Sequence, residues 1–202
     1  MKFEKKIFSS LKRKYEGFDR KREDMIRQTR SVIKLSKQVI YALHRRNYSD
    51  AKRKLGELKA AYRKLLTIAK EPQLRFSGNF RSAAQEFVEA VCFYELVSQE
   101  GSGALPDPSD LKVDFEEYLL GICDVVGELG RTAVHSVARN DLDAFSEIKK
   151  FVSRLYEALL EFDFRNGDLR RKFDSVKYTL NKLEDIELDV VMRKRNLLIE
   201  EK

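Results

Sequence analysis

A chain of 202 residues, 43% of them hydrophobic, can bury a core without disulfides or structural metals, and one domain over 1–202 is the expectation. With nine Gly and three Pro, turn-forming material is scarce, which argues against many short strands and for long helices. Charge is unevenly placed: residues 1–70 hold 22 Lys/Arg against 7 Asp/Glu, and the remaining 132 hold 18 against 26, for a total of +7. The basic part suits a polyanion by counterion release; the acidic part would repel it unless its carboxylates face elsewhere or carry cations.

Residues 1–14 interleave lysines with single apolar residues and lack the apolar run of a signal peptide. They lead into a predicted helix over 3–46, in which Phe3, Ile7, Leu11, Tyr15, Phe18, Met25, Val32, Val39 and Leu43 recur at three-, four- and seven-residue steps. A run this long implies packing along a groove or against other subunits. Ser49 or Asp50 is placed to cap a second helix to about Lys70, stopped by Pro72. A third spans roughly 76–99 and ends at Gly101-Ser102-Gly103, after which Pro106 and Pro108 mark a loop. Asp114 with Glu117 has the spacing of a capping box and predicts a fourth helix to about Ala138. Asn140-Asp141 opens a fifth to about Phe164, and Asn166-Gly167-Asp168 separates it from a sixth that runs to the C-terminus. No segment alternates with period two, so the fold class is all-α. No uncharged stretch approaches the ~18–20 residues of a membrane-spanning helix. Cys92 and Cys123 sit in apolar runs without CxxC spacing, and the expectation is a soluble protein of a reducing cytoplasm.

Three stripes carry the chemistry. Glu117, Gly121, Asp124, Glu128, Arg131 and His135 follow 4-3-4-3-4 spacing on an otherwise apolar helix, so they share one narrow face. Carboxylates on such a helix are costly unless paired, hydrated or bound to a cation, and Gly121 and Gly127 leave room beside them. Glu86 and Glu89 are i, i+3 neighbours on the third helix. If the two helices pack side by side, four hard-oxygen ligands converge, which suits Mg²⁺ or Mn²⁺. The residues alone leave a second reading open, in which these acids are solvated or paired, Glu128 with Arg131 for one. Arg20, Glu23, Arg27, Arg30, Lys34, Lys37 and Tyr41 form the third stripe, either a phosphate track or a solvated charged face. His44 is a cap or surface residue, and His135 has a buried, hydrogen-bonded role ahead of metal ligation. Phe151, Tyr156, Phe162 and Phe164 belong to core or subunit interface. Walker A, GxGxxG, Ser-His-Asp and zinc-ligand patterns are missing from the sequence.

The segment Tyr118-Leu119-Leu120-Gly121, with Asp124, Gly127-Glu128-Leu129 and Arg131, resembles the Trax pattern Y-L-L-G-x-x-D-x-x-G-E-L-x-R of the translin family. Gln85-Glu86-Phe87-Val88-Glu89-Ala90-Val91 resembles the Trax segment Q-E-Y-V-E-A-V. Ser36-Lys37, Ile40 and Leu43-His44-Arg45 are similar to its first helix, and Lys177-Tyr178, Leu180 and Lys182-Leu183-Glu184 to its last. The similarity covers most of the chain in order. It implies a translin-type antiparallel α-helical superhelix or bundle of about six or seven helices. It also implies an Mg²⁺-dependent endoribonuclease that binds RNA, with single-stranded DNA as a further ligand, inside a hollow oligomer. Glu86, Glu89 and Asp124 match acids of the nuclease-bearing Trax branch that translin lacks, whereas Glu128 is shared by both. By resemblance all four are catalytic and metal-binding carboxylates. Basic Trax residues match Arg27, Arg30 and Lys37; Lys34 lies on the same face, and Arg81 matches an arginine of translin. These five are the nucleic-acid-binding set. The loop at 99–113 is shorter than in animal Trax and resembles archaeal relatives, for which the implied assembly is a homo-octamer or a complex with a translin-like partner. The alternative within the family is a non-catalytic translin-type binder of single-stranded DNA or RNA.

Overall fold

A computed structural model describes residues 4–200, with side chains to Arg193. Among the described residues every regular element is helical. They are α1 (Lys5–His44), α2 (Tyr48–Ile68), α3 (Pro72–Arg75), α4 (Gly78–Val97), α5 (Pro108–Leu111), α6 (Phe115–Ala138), α7 (Leu142–Leu160) and α8 (Asp168–Glu200). The two elements beyond the six read from sequence are single turns, α3 and α5, each opened by a proline. Proline stops a preceding helix but suits the first position of a new one, where its missing N–H has no partner to lose.

The chain divides into two compact units, Met1–Val113 and Asp114–Lys202. In the first, α1 packs on both α2 and α4. Its buried face is Met25, Thr29, Val32, Ser36, Val39 and Leu43, a 4-3-4-3-4 progression that keeps one stripe inward for five turns. Thr29 and Ser36 are the small members of that stripe. Facing residues include Leu55, Leu58, Tyr62 and Leu65 of α2 and Ala83, Ala84, Phe87 and Val88 of α4. Tyr62 stacks on Phe87 with ring centroids 3.9 Å apart, and its hydroxyl donates to the Lys112 carbonyl at 3.4 Å. The burial of α1 begins only at Met25; Ile7, Phe8, Leu11 and Tyr15 on its first turns are exposed.

Helix α1 stops in a Schellman arrangement. Arg46 takes a left-handed φ of 55°, the Arg46 N–H donates to the Leu43 carbonyl at 2.8 Å and the Asn47 N–H to the Ala42 carbonyl at 3.0 Å. Asn47, rather than Ser49 or Asp50, caps α2 by accepting from the Asp50 N–H at 3.2 Å. The tight turn brings the next helix in two residues sooner than the sequence suggested. Asp114 stands at the N-cap of α6 without a side-chain cap bond, so the capping box does not form as read. His44 is half-buried, its ring 5.1 Å from that of Phe93.

In the second unit α6, α7 and α8 pack against one another pairwise. Phe145, Val152 and Leu159 recur at seven-residue steps on α7, and Phe173, Val176, Leu180 and Leu183 at three and four on α8. Tyr156 stacks on Phe173 at 5.3 Å, which places it in this core, while Phe162 is exposed and stacks on Phe164. Helix α6 is buried on most sides, from Leu120 to Ala133, and each fully buried Leu or Val contributes about 1.5–3 kcal/mol. Cys92 and Cys123 are free and buried, and burial pushes both thiols up to about 12. They are small apolar core groups rather than nucleophiles. Alkylation by iodoacetamide at pH 8.5 is therefore expected to be slow in the native protein and complete after denaturation. Rapid labelling of the folded chain would contradict this burial.

Close approach of α6 and α8 depends on Gly130, where an added Cβ would lie 2.7 Å from the Thr179 Cγ2. Gly127, read from the sequence as leaving room beside the acids, has open space around it. Gly130→Ala is expected to cost about 1 kcal/mol by overpacking. Adding Thr179→Ser, which removes that methyl and keeps the hydroxyl bonded to the Ser175 carbonyl, is expected to recover most of the loss in urea unfolding.

Candidate nucleic-acid interface and acidic residues

The inward stripe of α1 fixes what faces outward. Arg27, Arg30, Lys34, Lys37 and Tyr41 are all exposed, because each lies about a third to half a turn around the helix from Met25, Thr29, Val32, Ser36 or Val39. Arg27 is engaged by Asp24 at 2.6 Å, one turn back, and from Arg30 onward α1 carries no acid of its own. Arg30, Lys34 and Lys37 line a groove of about 840 Å³ along α1 and the start of α2. The sequence pattern found the α1 side of this groove. It missed Lys54, which lies on α2 and reaches across to donate to the Gln38 amide oxygen at 3.0 Å.

On α4, Glu86 and Glu89 are half-buried, as is Arg81 on the first turn after the Ser77 cap. The side chain of Glu86 is 27% exposed, and the ammonium of Lys37 stands 3.8 Å from its carboxylate. The structure therefore joins one member of the basic set to one member of the acidic set on the same face of the first unit. Neither stripe alone implied that contact, since 49 residues separate the two.

In the second unit Asp124 and Glu128 lie one turn apart on α6, both half-buried. Glu117, at the head of the same stripe, is buried, and Arg131 and His135 at its foot are exposed. His135 was read as buried; it sits in the last turn of α6, where that face opens to solvent beside Tyr178 and Lys182 of α8. Asp124 accepts a hydrogen bond and ion pair from the Lys172 ammonium of α8, with only 19% of the Asp124 side chain exposed. Lys172 is the residue that sequence reasoning missed. It lies 48 positions away on a charged helix, and its local pattern does not set it apart from its neighbours.

The four acids are thus two pairs, one in each unit. Within each unit, among the described residues, no group of three or more His, Cys, Asp or Glu side chains is placed to hold a metal ion. No described helix is long and apolar enough to cross a membrane.

The sequence pattern of the translin family matches residues 20–194. This chain belongs to the translin family. An uncharacterised protein of Methanocaldococcus jannaschii is 32% identical over 81% of this chain and 72% of its own length. Mouse translin is 28% identical over 74% of this chain and 68% of its own, and rat translin-associated protein X is 27% identical over 64% and 57%. Among solved structures, apo-NeC3PO superposes with a TM-score of 0.82 at 28% identity, covering 92% of this chain and 97% of that one. A complex of AfC3PO with duplex RNA superposes at 0.84 with 22% identity, covering 94% and 98%. The matched span takes in α2 to α7 whole and most of α1 and α8, so the all-helical architecture is that of translin relatives.

Replacing Lys172 by Met leaves the largely buried Asp124 carboxylate without its cation. Lys172→Met is expected to lower stability by about 1–2 kcal/mol in urea unfolding, and Asp124→Asn in the same chain to restore part of it. A neutral single substitution would show that the ion pair carries no weight.

Proposed function

We propose that this protein binds RNA, with single-stranded DNA as a second ligand, along the outward face of α1. We further propose that it is an Mg²⁺-dependent endoribonuclease of the translin–Trax type, working within a hollow homo-oligomer, an octamer by family resemblance, or with a translin-like partner subunit. The observation that carries the proposal is the 3.8 Å approach of Lys37 to Glu86, which puts the end of a cation track beside a half-buried acid. A phosphate held by Lys37 would lie near the Glu86 carboxylate. Two such like charges about 4 Å apart repel by about 4 kcal/mol at an effective dielectric of about 20, unless a cation stands between them. Two things support the reading: the fold is shared with a protein solved in complex with duplex RNA, and the segments that carry Glu86, Glu89, Asp124 and Glu128 resemble the Trax motifs.

The residues fit Mg²⁺. The donors are hard carboxylate oxygens, and Mg²⁺ keeps several waters while taking one or two carboxylates together with substrate phosphate, so a pair of acids is a sufficient protein contribution. Glu86 with Glu89, and Asp124 with Glu128, are the residues that would hold it. Mg²⁺ held by these residues would supply Lewis-acid charge for phosphodiester hydrolysis. The protein's own part is positional. Arg30, Lys34 and Lys37 neutralise and orient the strand, and Arg81, just N-terminal to Glu86 on α4, adds a further phosphate contact. Recognition through phosphates carries little base information, so cleavage should show weak sequence preference.

A second reading has its own observation. Asp124 is satisfied by Lys172, which favours a non-catalytic translin-type binder in which the acids are structural. The two readings separate in one assay on labelled single-stranded and short-duplex RNA. The nuclease reading expects products with Mg²⁺, none with EDTA, and a loss on the order of 100-fold or more in Asp124→Ala and Glu86→Gln. Binding without products in Mg²⁺ as well as in EDTA selects the binder, and an Asp124→Ala variant as fast as wild type removes the catalytic assignment. In either case, changing Arg30, Lys34 and Lys37 together to Ala should reduce the slope of log affinity against log salt by about 2 for single strands.

A further inference from the structure

Among the described residues Tyr41 is the one aromatic side chain on the wall of the α1–α2 groove, and electrostatics alone does not account for it. Tyr41 is 59% exposed, on a stretch of the helix that carries cations and no acid. From Met25 to Ser49 the sequence has no Asp or Glu and six Lys/Arg, so the field around the ring is positive. Lys37 and Arg45 stand one turn on either side of it, about 6 Å along the axis. The Arg45 guanidinium lies 5.6 Å from the ring centroid, and Lys54 approaches from α2. Among the described residues the groove lining has one acid, Asp50, whose carboxylate is already held by Arg53 at 2.5 Å. Its volume of about 840 Å³ is in the range of pockets that take small organic ligands, roughly 300–1,000 Å³.

A flat aromatic surface bracketed by cations matches a planar base with phosphate on both sides. We propose that this groove is a nucleotide pocket in which one nucleobase stacks on Tyr41 while Lys37 and Arg45 hold the phosphates flanking it. Arg30, Lys34 and Lys54 extend the positive wall on which the neighbouring backbone lies. Stacking tolerates any base, so the pocket adds affinity and an unpaired-base requirement without adding a sequence code. The groove thereby favours unpaired over fully paired strands. This inference rests on the nucleic-acid-binding reading and specifies the class of strand it takes.

The full-length protein is titrated with a short oligoadenylate, with an abasic ribose-phosphate strand of equal length and with AMP. Wild type is compared with Tyr41→Leu and Tyr41→Phe, both at an exposed position. The stacked pocket predicts that Tyr41→Leu weakens oligoadenylate binding by roughly 5- to 150-fold, the value of one base–aromatic stack. Tyr41→Phe leaves it nearly unchanged, and Tyr41→Leu leaves the abasic strand nearly unchanged. Tyr41-dependent binding of AMP would identify a free mononucleotide as a ligand, and dependence only with the strand would identify a nucleotide within a chain; both support the pocket. Equal losses on abasic and adenylate strands, or no loss on either, would overturn it while leaving strand binding intact. A wild type that retains no strand and no AMP would overturn this inference together with the proposed function.

Discussion

The packing of one face of α1 against α2 and α4 is the constraint from which the functional surface follows. Met25, Val32, Val39 and Leu43 can enter the core only if the helix is held in one rotational setting, and that setting leaves Arg30, Lys34, Lys37 and Tyr41 in water. Rotation by one position would bury several cations without partners, at a cost of several kcal/mol each. The hydrophobic stripe therefore orients the charged one. The Schellman stop at Arg46 and the Asn47 cap then fold α2 back beside α1, which turns a charged helix face into a groove with a second wall.

Acidic residues in the two units meet different environments. Glu86 lies near Lys37, a residue still 67% exposed, so the pair is held loosely and either partner can exchange for another ion. Asp124 is more enclosed and its cation comes from α8, so its charge is compensated within the fold. A carboxylate already balanced by a lysine does not require a metal for stability, and any metal has to offer more than the ammonium does. That contrast makes Glu86 the acid most directly coupled to the basic face of α1, and Asp124 the one whose charge the fold itself balances.

Close approach of helices replaces large side chains at two places. Thr29 and Ser36 supply the small members of the buried α1 stripe, and Gly130 lets α8 come within contact of the α6 backbone at Thr179. Both are devices of shape rather than chemistry. They explain why a helix as apolar as α6 carries a glycine where an alanine would raise helix propensity.

How much could be read from the sequence differs by level. Helix existence, the all-α class and the outward basic face were legible because each depends on local periodicity: residues three and four apart share a face whatever the helix packs against. The family resemblance was legible from residue identities in two helical motifs instead. Boundaries were less so, since Asn47 outcompeted Ser49 and Asp50 as a cap only through the left-handed turn at Arg46, and Pro72 and Pro108 opened single turns as well as ending what preceded them. His135 was misplaced because periodicity says which residues share a stripe, not where along the helix that stripe meets solvent. The contacts that give the candidate site its character, Lys37 with Glu86, Lys172 with Asp124 and Lys54 beside Tyr41's groove, were decided by tertiary structure alone. Each joins residues from different helices, and a lysine's choice among distant carboxylates or amides depends on distances of a few ångströms that no local pattern encodes.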